Sequence, residues 1–146
     1  KNHRIILDLL KKGAEIRKTE DASLLLEEHV DLVKFIQTNL TENMHERARH
    51  LRLKRRLDAA RDRFIANRIN ETLREGETAV LFLGAYHDVV PHLAKDIVMG
   101  WVKDRDAVKA YFLELVSGQD KSRYRQLAGY LASQVRGANY GERRKE

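Results

Sequence analysis

The residues best suited to chemistry lie where a short apolar run ends. Ala79 to Leu83 is wholly apolar, Gly84 follows it, and the ionisable pair His87 and Asp88 comes directly after Tyr86. In an α/β protein, ligands bind where strands end at the carboxyl edge of the sheet. Gly84 permits a sharp turn and a close backbone approach to a ligand, and His87 titrates near neutrality. We expect His87 and Asp88 to serve as catalytic base or metal ligands and Gly84 to line the ligand site; a loop histidine without a role is the alternative.

A second group of polar residues lies on a long predicted helix. Asp58 and Asp62 are four residues apart and therefore share one helix face, with Arg61 close by. In one interpretation Arg61 stabilises negative charge that develops at the strand end, and Asp62 orients the histidine or binds an ion. The pattern favours the other interpretation, a structural ion-pair network.

Helices and a small sheet must position these residues. Helical spacing of apolar residues predicts a first helix over residues 2–12, which Gly13 ends, and four more along the chain. Short polar residues mark where the later helices begin: Thr19 or Asp21 for the second, Thr41 for the third, Asp104 or Asp106 for the fourth, and Asp120 or Ser122 for the fifth.

The third helix is predicted to run from Thr41 to Gly76, roughly 34 residues and about three times the mean length. Its apolar residues form two opposite stripes, one of Leu53, Leu57, Ala60 and Phe64, the other of Met44, Ala48, Leu51, Ile65, Ile69 and Leu73. This pattern predicts a helix that is buried on two sides, kinked near its middle, or engaged with a partner subunit.

Two strands complete the predicted elements. Residues 79–83 have the composition of a parallel strand buried on both faces, and residues 97–102 form the second strand. The predicted fold class is therefore helix-rich α/β, with long helices packed on a short parallel sheet. Two strands do not make a stable parallel sheet, so residues 1–146 are a single domain or the C-terminal part of a larger one, an incomplete domain or fragment with a flexible tail over 137–146.

Composition limits the classes of function. The absence of cysteine removes disulfides, thiol catalysis and Cys-ligated zinc. No apolar run approaches the roughly 20 residues of a membrane span, and no signal peptide is present, so a cytoplasmic protein is predicted. The net charge of +6 permits nucleic-acid binding. However, the arginines of segment 45–68 are spread around the helix with a single aromatic residue among them, which favours a solvated face.

One stretch of the chain resembles a known family. The run Arg61-Asp62-Arg63-Phe64-Ile65-Ala66-Asn67-Arg68-Ile69, followed by Leu73 and Gly76-Glu77, leads into Val80-Leu81-Phe82-Leu83-Gly84-Ala85-Tyr86-His87. Over about residues 58–88 this layout resembles the C-terminal part of the TraB/PrgY, TIKI and erythromycin-esterase clan. Gly84 and His87 match its G-x-x-H motif, and Arg61 or Asp62 matches the polar residues of its helix. The resemblance implies a hydrolase-like fold whose sites use two such motifs, of which this chain has one.

Three functions follow as hypotheses. The first is a hydrolase-like domain that uses a divalent metal, with His87, Asp88, Arg61 and Asp62 at its site. The second is a helical dimerisation or interaction protein, and the third is an arginine-rich nucleic-acid binder. The predicted partner is a second copy of the chain or an upstream segment of the same protein, and no membrane is expected.

Overall fold

The fold of this chain is built almost entirely from helices. A computed structural model describes residues 3–37, 44–135 and 139–140, and the chain divides into two compact units, residues 1–79 and 80–146. The first unit contains α1 (His3–Lys11), α2 (Ala22–Gln37) and α3 (Met44–Thr72). The second contains a 3₁₀ turn (Val90–His92), α4 (Arg105–Ser117), α5 (Lys121–Ala132) and two short strands, β1 (Gly100–Trp101) and β2 (Asn139–Tyr140).

Helix ends lie where local chemistry predicts them. The Asp21 carboxylate accepts hydrogen bonds from the backbone N–H groups of Ser23 and Leu24, and these bonds hold the pKa of Asp21 below its usual range. Asp104 and Asp120 cap α4 and α5 in the same way. Gly118 ends α4 in the left-handed conformation at φ 63°, which glycine adopts without steric cost. The cap predicted at Thr41 lies outside the described residues.

The long helix ends earlier than Gly76. α3 stops at Thr72, whose carbonyl accepts a hydrogen bond from the Arg17 guanidinium. Arg17 also binds both carboxylate oxygens of Glu77, at 2.7 and 2.9 Å. The turn that follows the helix is thus held by side chains from outside the helix.

The predicted parallel sheet is wrong. Residues 79–83 have no regular secondary structure, and in the predicted second strand only Gly100 and Trp101 are extended, paired antiparallel with Tyr140 and Asn139. Val80 and Phe82 are exposed while Leu81 and Leu83 are half-buried. An apolar run becomes a doubly buried strand only where neighbouring strands accept its hydrogen bonds, and the described residues supply none here. The fold class is therefore helical, with one minimal antiparallel strand pair.

Of the predicted tail, residues 137–146, only Asn139 and Tyr140 are described. No helix among the described residues is long and apolar enough to cross a membrane.

Burial in α3 follows the two predicted stripes unevenly. Leu57 of the first stripe is fully buried, on the side that packs against α2. In the second stripe Ile65 is fully buried, whereas Leu51 and Met44 are exposed. The second stripe is thus covered only along the C-terminal half of the helix.

Candidate functional site

Arg61, a predicted site residue, binds two carboxylates from the segment at and before α2. Its Nη2 and Nε donate to the two oxygens of Glu20 at 2.7 and 3.2 Å, and its Nη1 donates to Glu28 at 2.6 Å. Only 12% of the Arg61 side chain is exposed, and the hydrogen bonds to Glu20 raise the pKa of the guanidinium. All of its described contacts are structural, which matches the network interpretation but with different acids from those predicted.

Further along α2, Asp31 forms the centre of a second polar cluster. Its carboxylate lies 2.5 Å from Nδ1 of His50 and 3.4 Å from Arg49, and Asp31 itself is buried. The His50 ring stacks on Phe35, with ring centroids 4.0 Å apart. Glu27 binds Arg56 at the exposed edge of the same interface. The face of α2 that meets α3 therefore carries the acids Glu28 and Asp31 beside the aromatic ring of Phe35.

The two aspartates predicted on α3 have different surroundings. Asp58 is half-buried and accepts from Lys54 at 3.0 Å, one turn earlier on the same helix. Asp62 is buried and lies about 100° around the α3 axis from Arg61. Arg61 and Asp62 belong to the first unit, and Gly84, His87 and Asp88 belong to the second.

In the second unit, Gly84 and His87 form a tight turn. The His87 N–H donates to the Gly84 carbonyl at 3.1 Å, and a Cβ placed on Gly84 would lie 3.4 Å from the His87 ring. Asp88 binds Arg105 at 2.8 Å, and Arg105 also donates to the Ala85 carbonyl at 3.2 Å. The first residue of α4 thus fixes this turn, a role that no sequence signal indicated.

These residues do not by themselves make a metal centre. Within the described ranges, no group of three or more His, Asp or Glu side chains is arranged to hold a metal ion. Asp88 shares its carboxylate with Arg105, and a cation there would compete with that guanidinium. The divalent metal and the hydrolytic roles of His87, Asp88, Arg61 and Asp62 stay predictions.

The outer face of α2 is apolar and exposed. At 100° per residue its exposed aliphatic side chains fall within an arc of roughly 160°, and between 40 and 66% of each is exposed: Leu25, Leu26, Val30, Leu32 and Ile36. His29 and Gln37 are the polar members of this arc. We call these five aliphatic residues the α2 outer face.

A groove runs along one edge of this face. It has a volume of about 760 Å³, and Leu26, Val30 and Leu53 form its apolar part. Charged side chains of both signs surround them: Glu27, Asp31 and Lys34 from α2, Glu46 and Arg49 from α3. The groove therefore combines an aliphatic strip with a rim that carries charges of both signs.

Helix α4 also buries an acid and exposes apolar side chains. Glu114 is buried and lies 3.5 Å from Arg123 of α5. Phe112 and Leu115 are exposed, whereas Val108 and Tyr111 of the same helix are half-buried.

Comparisons with family models, curated proteins and solved structures find no match for this chain. The resemblance to the TraB and erythromycin-esterase clan is not tested by them and stays a prediction.

Proposed function

We propose that this chain is a helical protein-interaction module that binds its partner through the α2 outer face. The observation that carries the proposal is the orientation of α2, which pairs Glu28 and Asp31 with α3 and presents the five aliphatic residues of its outer face to solvent. An exposed aliphatic surface of this size on a single helix is typical of a protein-binding surface. The cytoplasm stays the predicted compartment of this association.

The orientation of α2 is fixed by its own charges. Rolling the helix so that its leucines faced α3 would separate Asp31 from His50 and Glu28 from Arg61. Removing one member of a buried ion pair costs several kcal/mol because the other charge is left uncompensated. In the observed orientation both ion pairs are kept, and the α2 outer face is left exposed for a partner.

Photo-crosslinking tests the proposal. p-Benzoylphenylalanine in place of His29, at the centre of the arc, should give discrete crosslinked protein products in cells. The same group in place of Arg63, an exposed residue of α3, serves as the matched control and should give none. Equal products from both positions, or none from position 29, would overturn the proposal.

A second pair of variants tests the contribution of apolar area. Leu26 and Leu113 are both leucines with 63% exposure, the first on α2 and the second on α4. Leu26→Ser should abolish the products formed from position 29, and Leu113→Ser should leave them unchanged. Loss with both variants would assign the binding to general surface hydrophobicity instead.

A further inference from the structure

We propose that the partner on the α2 outer face is a second copy of this chain, with the two α2 helices antiparallel across a two-fold axis. This inference rests on the proposed function and names the occupant of its surface. Three observations carry it: the charges of both signs on the groove rim, the spacing of two rim charges on α2, and the apolar area available.

The charges on the rim of the groove favour one kind of partner over others. Three acids, Glu27, Asp31 and Glu46, and two bases, Lys34 and Arg49, line the groove beside the aliphatic strip. A nucleic acid or an anionic membrane selects for a rim of positive charge. A two-fold interface instead places one surface against itself, so it needs charges of both signs on the same rim.

Glu27 and Lys34 have the spacing that such an interface requires. They are seven residues apart, two helical turns, and so lie on the same edge of α2. A two-fold axis between Val30 and Asp31 brings Glu27 of each copy, which also binds Arg56 of its own chain, level with Lys34 of the other. Two intermolecular ion pairs then flank the apolar contact, as charges beside the seam of paired helices do.

The apolar area is sufficient for a specific dimer. The exposed parts of the α2 outer face amount to roughly 500 Å² per copy, so pairing two copies removes about 1,000 Å² from water, the lower bound for a specific interface. The groove rim adds to this area. Association in the micromolar range is consistent with an interface of this size.

Charge reversal tests the pairing directly. Glu27→Lys and Lys34→Glu each place like charges across the two-fold axis, and each should weaken self-association by roughly tenfold. An equimolar mixture of the two single variants, and also the double variant E27K/K34E, should regain it because opposite charges face each other again. Sedimentation equilibrium of the 146-residue chain measures all of these. Concentrations between 1 and 200 µM cover about two decades around the expected Kd.

Each outcome has a defined meaning. A monomeric wild-type chain at the highest concentration, or single variants whose mixture does not associate more tightly than either alone, overturns the second copy as partner. If the position-29 crosslink then joins a different protein, the proposed function stands and this inference fails. If the chain instead cosediments with vesicles containing phosphatidylserine and gives no crosslinked protein, both fail. Circular dichroism of each variant confirms that α2 and α3 remain folded.

Discussion

At the scale of single residues, Arg61 shows how the positive charge of α3 is used. Its guanidinium separates two carboxylates, Glu20 and Glu28, that would otherwise repel each other. Catalysis would require this side chain to leave at least one of these partners when charge develops on a substrate. The geometry is that of a residue that joins α2 to α3.

Arg61→Ala should therefore destabilise the folded chain. The substitution leaves two partly buried carboxylates without their common partner, and we expect a loss of about 1–3 kcal/mol in the free energy of unfolding. Urea denaturation followed by circular dichroism measures it. Arg63→Ala, two residues away and exposed, should change that free energy by less than about 0.5 kcal/mol. Equal effects of the two substitutions would contradict the structural role.

The Arg17–Glu77 pair gives a prediction about pH. The hydrogen bonds from Arg17, and a further one from the Arg74 N–H, lower the pKa of Glu77 to about 2. The pKa of this carboxyl is lower in the folded chain than in the unfolded chain. The Arg17–Glu77 pair therefore contributes fully to the free energy of unfolding above pH 4.5, and this contribution is lost as the pH falls toward 2. Carboxyl carbon chemical shifts measured against pH should report this low pKa. In Arg17→Gln the pKa of Glu77 should rise toward its usual value, and an unchanged titration would exclude Arg17 as the cause.

At the scale of elements, two glycines of the second unit have different structural roles: one is needed for its backbone conformation, and the other is replaceable. Gly118 has φ 63° at the end of α4, and Gly129 lies inside α5 with open space where a Cβ would stand. Gly118→Ala should cost about 1 kcal/mol because alanine is strained there. Gly129→Ala should stabilise by a similar amount, about 0.5–1 kcal/mol, because alanine favours the helix. Thermal denaturation of both variants checks the signs, and a shared sign would contradict the assigned helix end.

Helix ends were predictable from sequence because their causes are local. Asp21, Asp120 and Gly118 act within three or four residues of themselves, so their residue types carry the signal. The strand over 79–83 was not predictable in this way, because a strand exists only with neighbours to pair with. The same apolar run is compatible with an extended segment whose side chains are alternately half-buried and exposed.

The sequence also did not predict which face of α2 packs against α3. Periodicity shows that Leu26, Val30 and Ile36 share a face, but it does not show whether that face turns inward. Asp31 gives a signal that could have decided it, because it lies three residues from Glu28 on one face, opposite a helix rich in arginine. At the site, Gly84 and His87 lie close in sequence and in one tight turn, while the ion pair of Asp88 with Arg105 depends on a residue 17 positions away.

At the scale of the whole molecule, ion pairs fix the orientation of α2 and leave its aliphatic residues for association. The net charge of +6 coexists with α3 cations that are already paired with carboxylates of α2 and of the segment before it, among them Arg49, Arg56 and Arg61. These pairs hold α2 with its outer face exposed. Salt should therefore weaken the ion pairs within a chain, and those between Glu27 and Lys34 of paired copies, without abolishing a complex held by the apolar contact.

Self-association at this face makes the stability of the chain depend on its own concentration. Folded chains that pair are removed from the unfolding equilibrium, so a hundredfold rise in concentration stabilises the dimer by at most about 2.7 kcal/mol, the value for pairing that is saturated throughout. For a chain of this size the thermal midpoint should rise by about 4 °C. Leu26→Ser should abolish the rise, whereas Leu113→Ser, equally exposed on α4, should preserve it. Calorimetry at 2 and 200 µM, a hundredfold interval, measures these thermal midpoints. Coincident midpoints for the wild-type chain would show that its folded state is stable without a second copy.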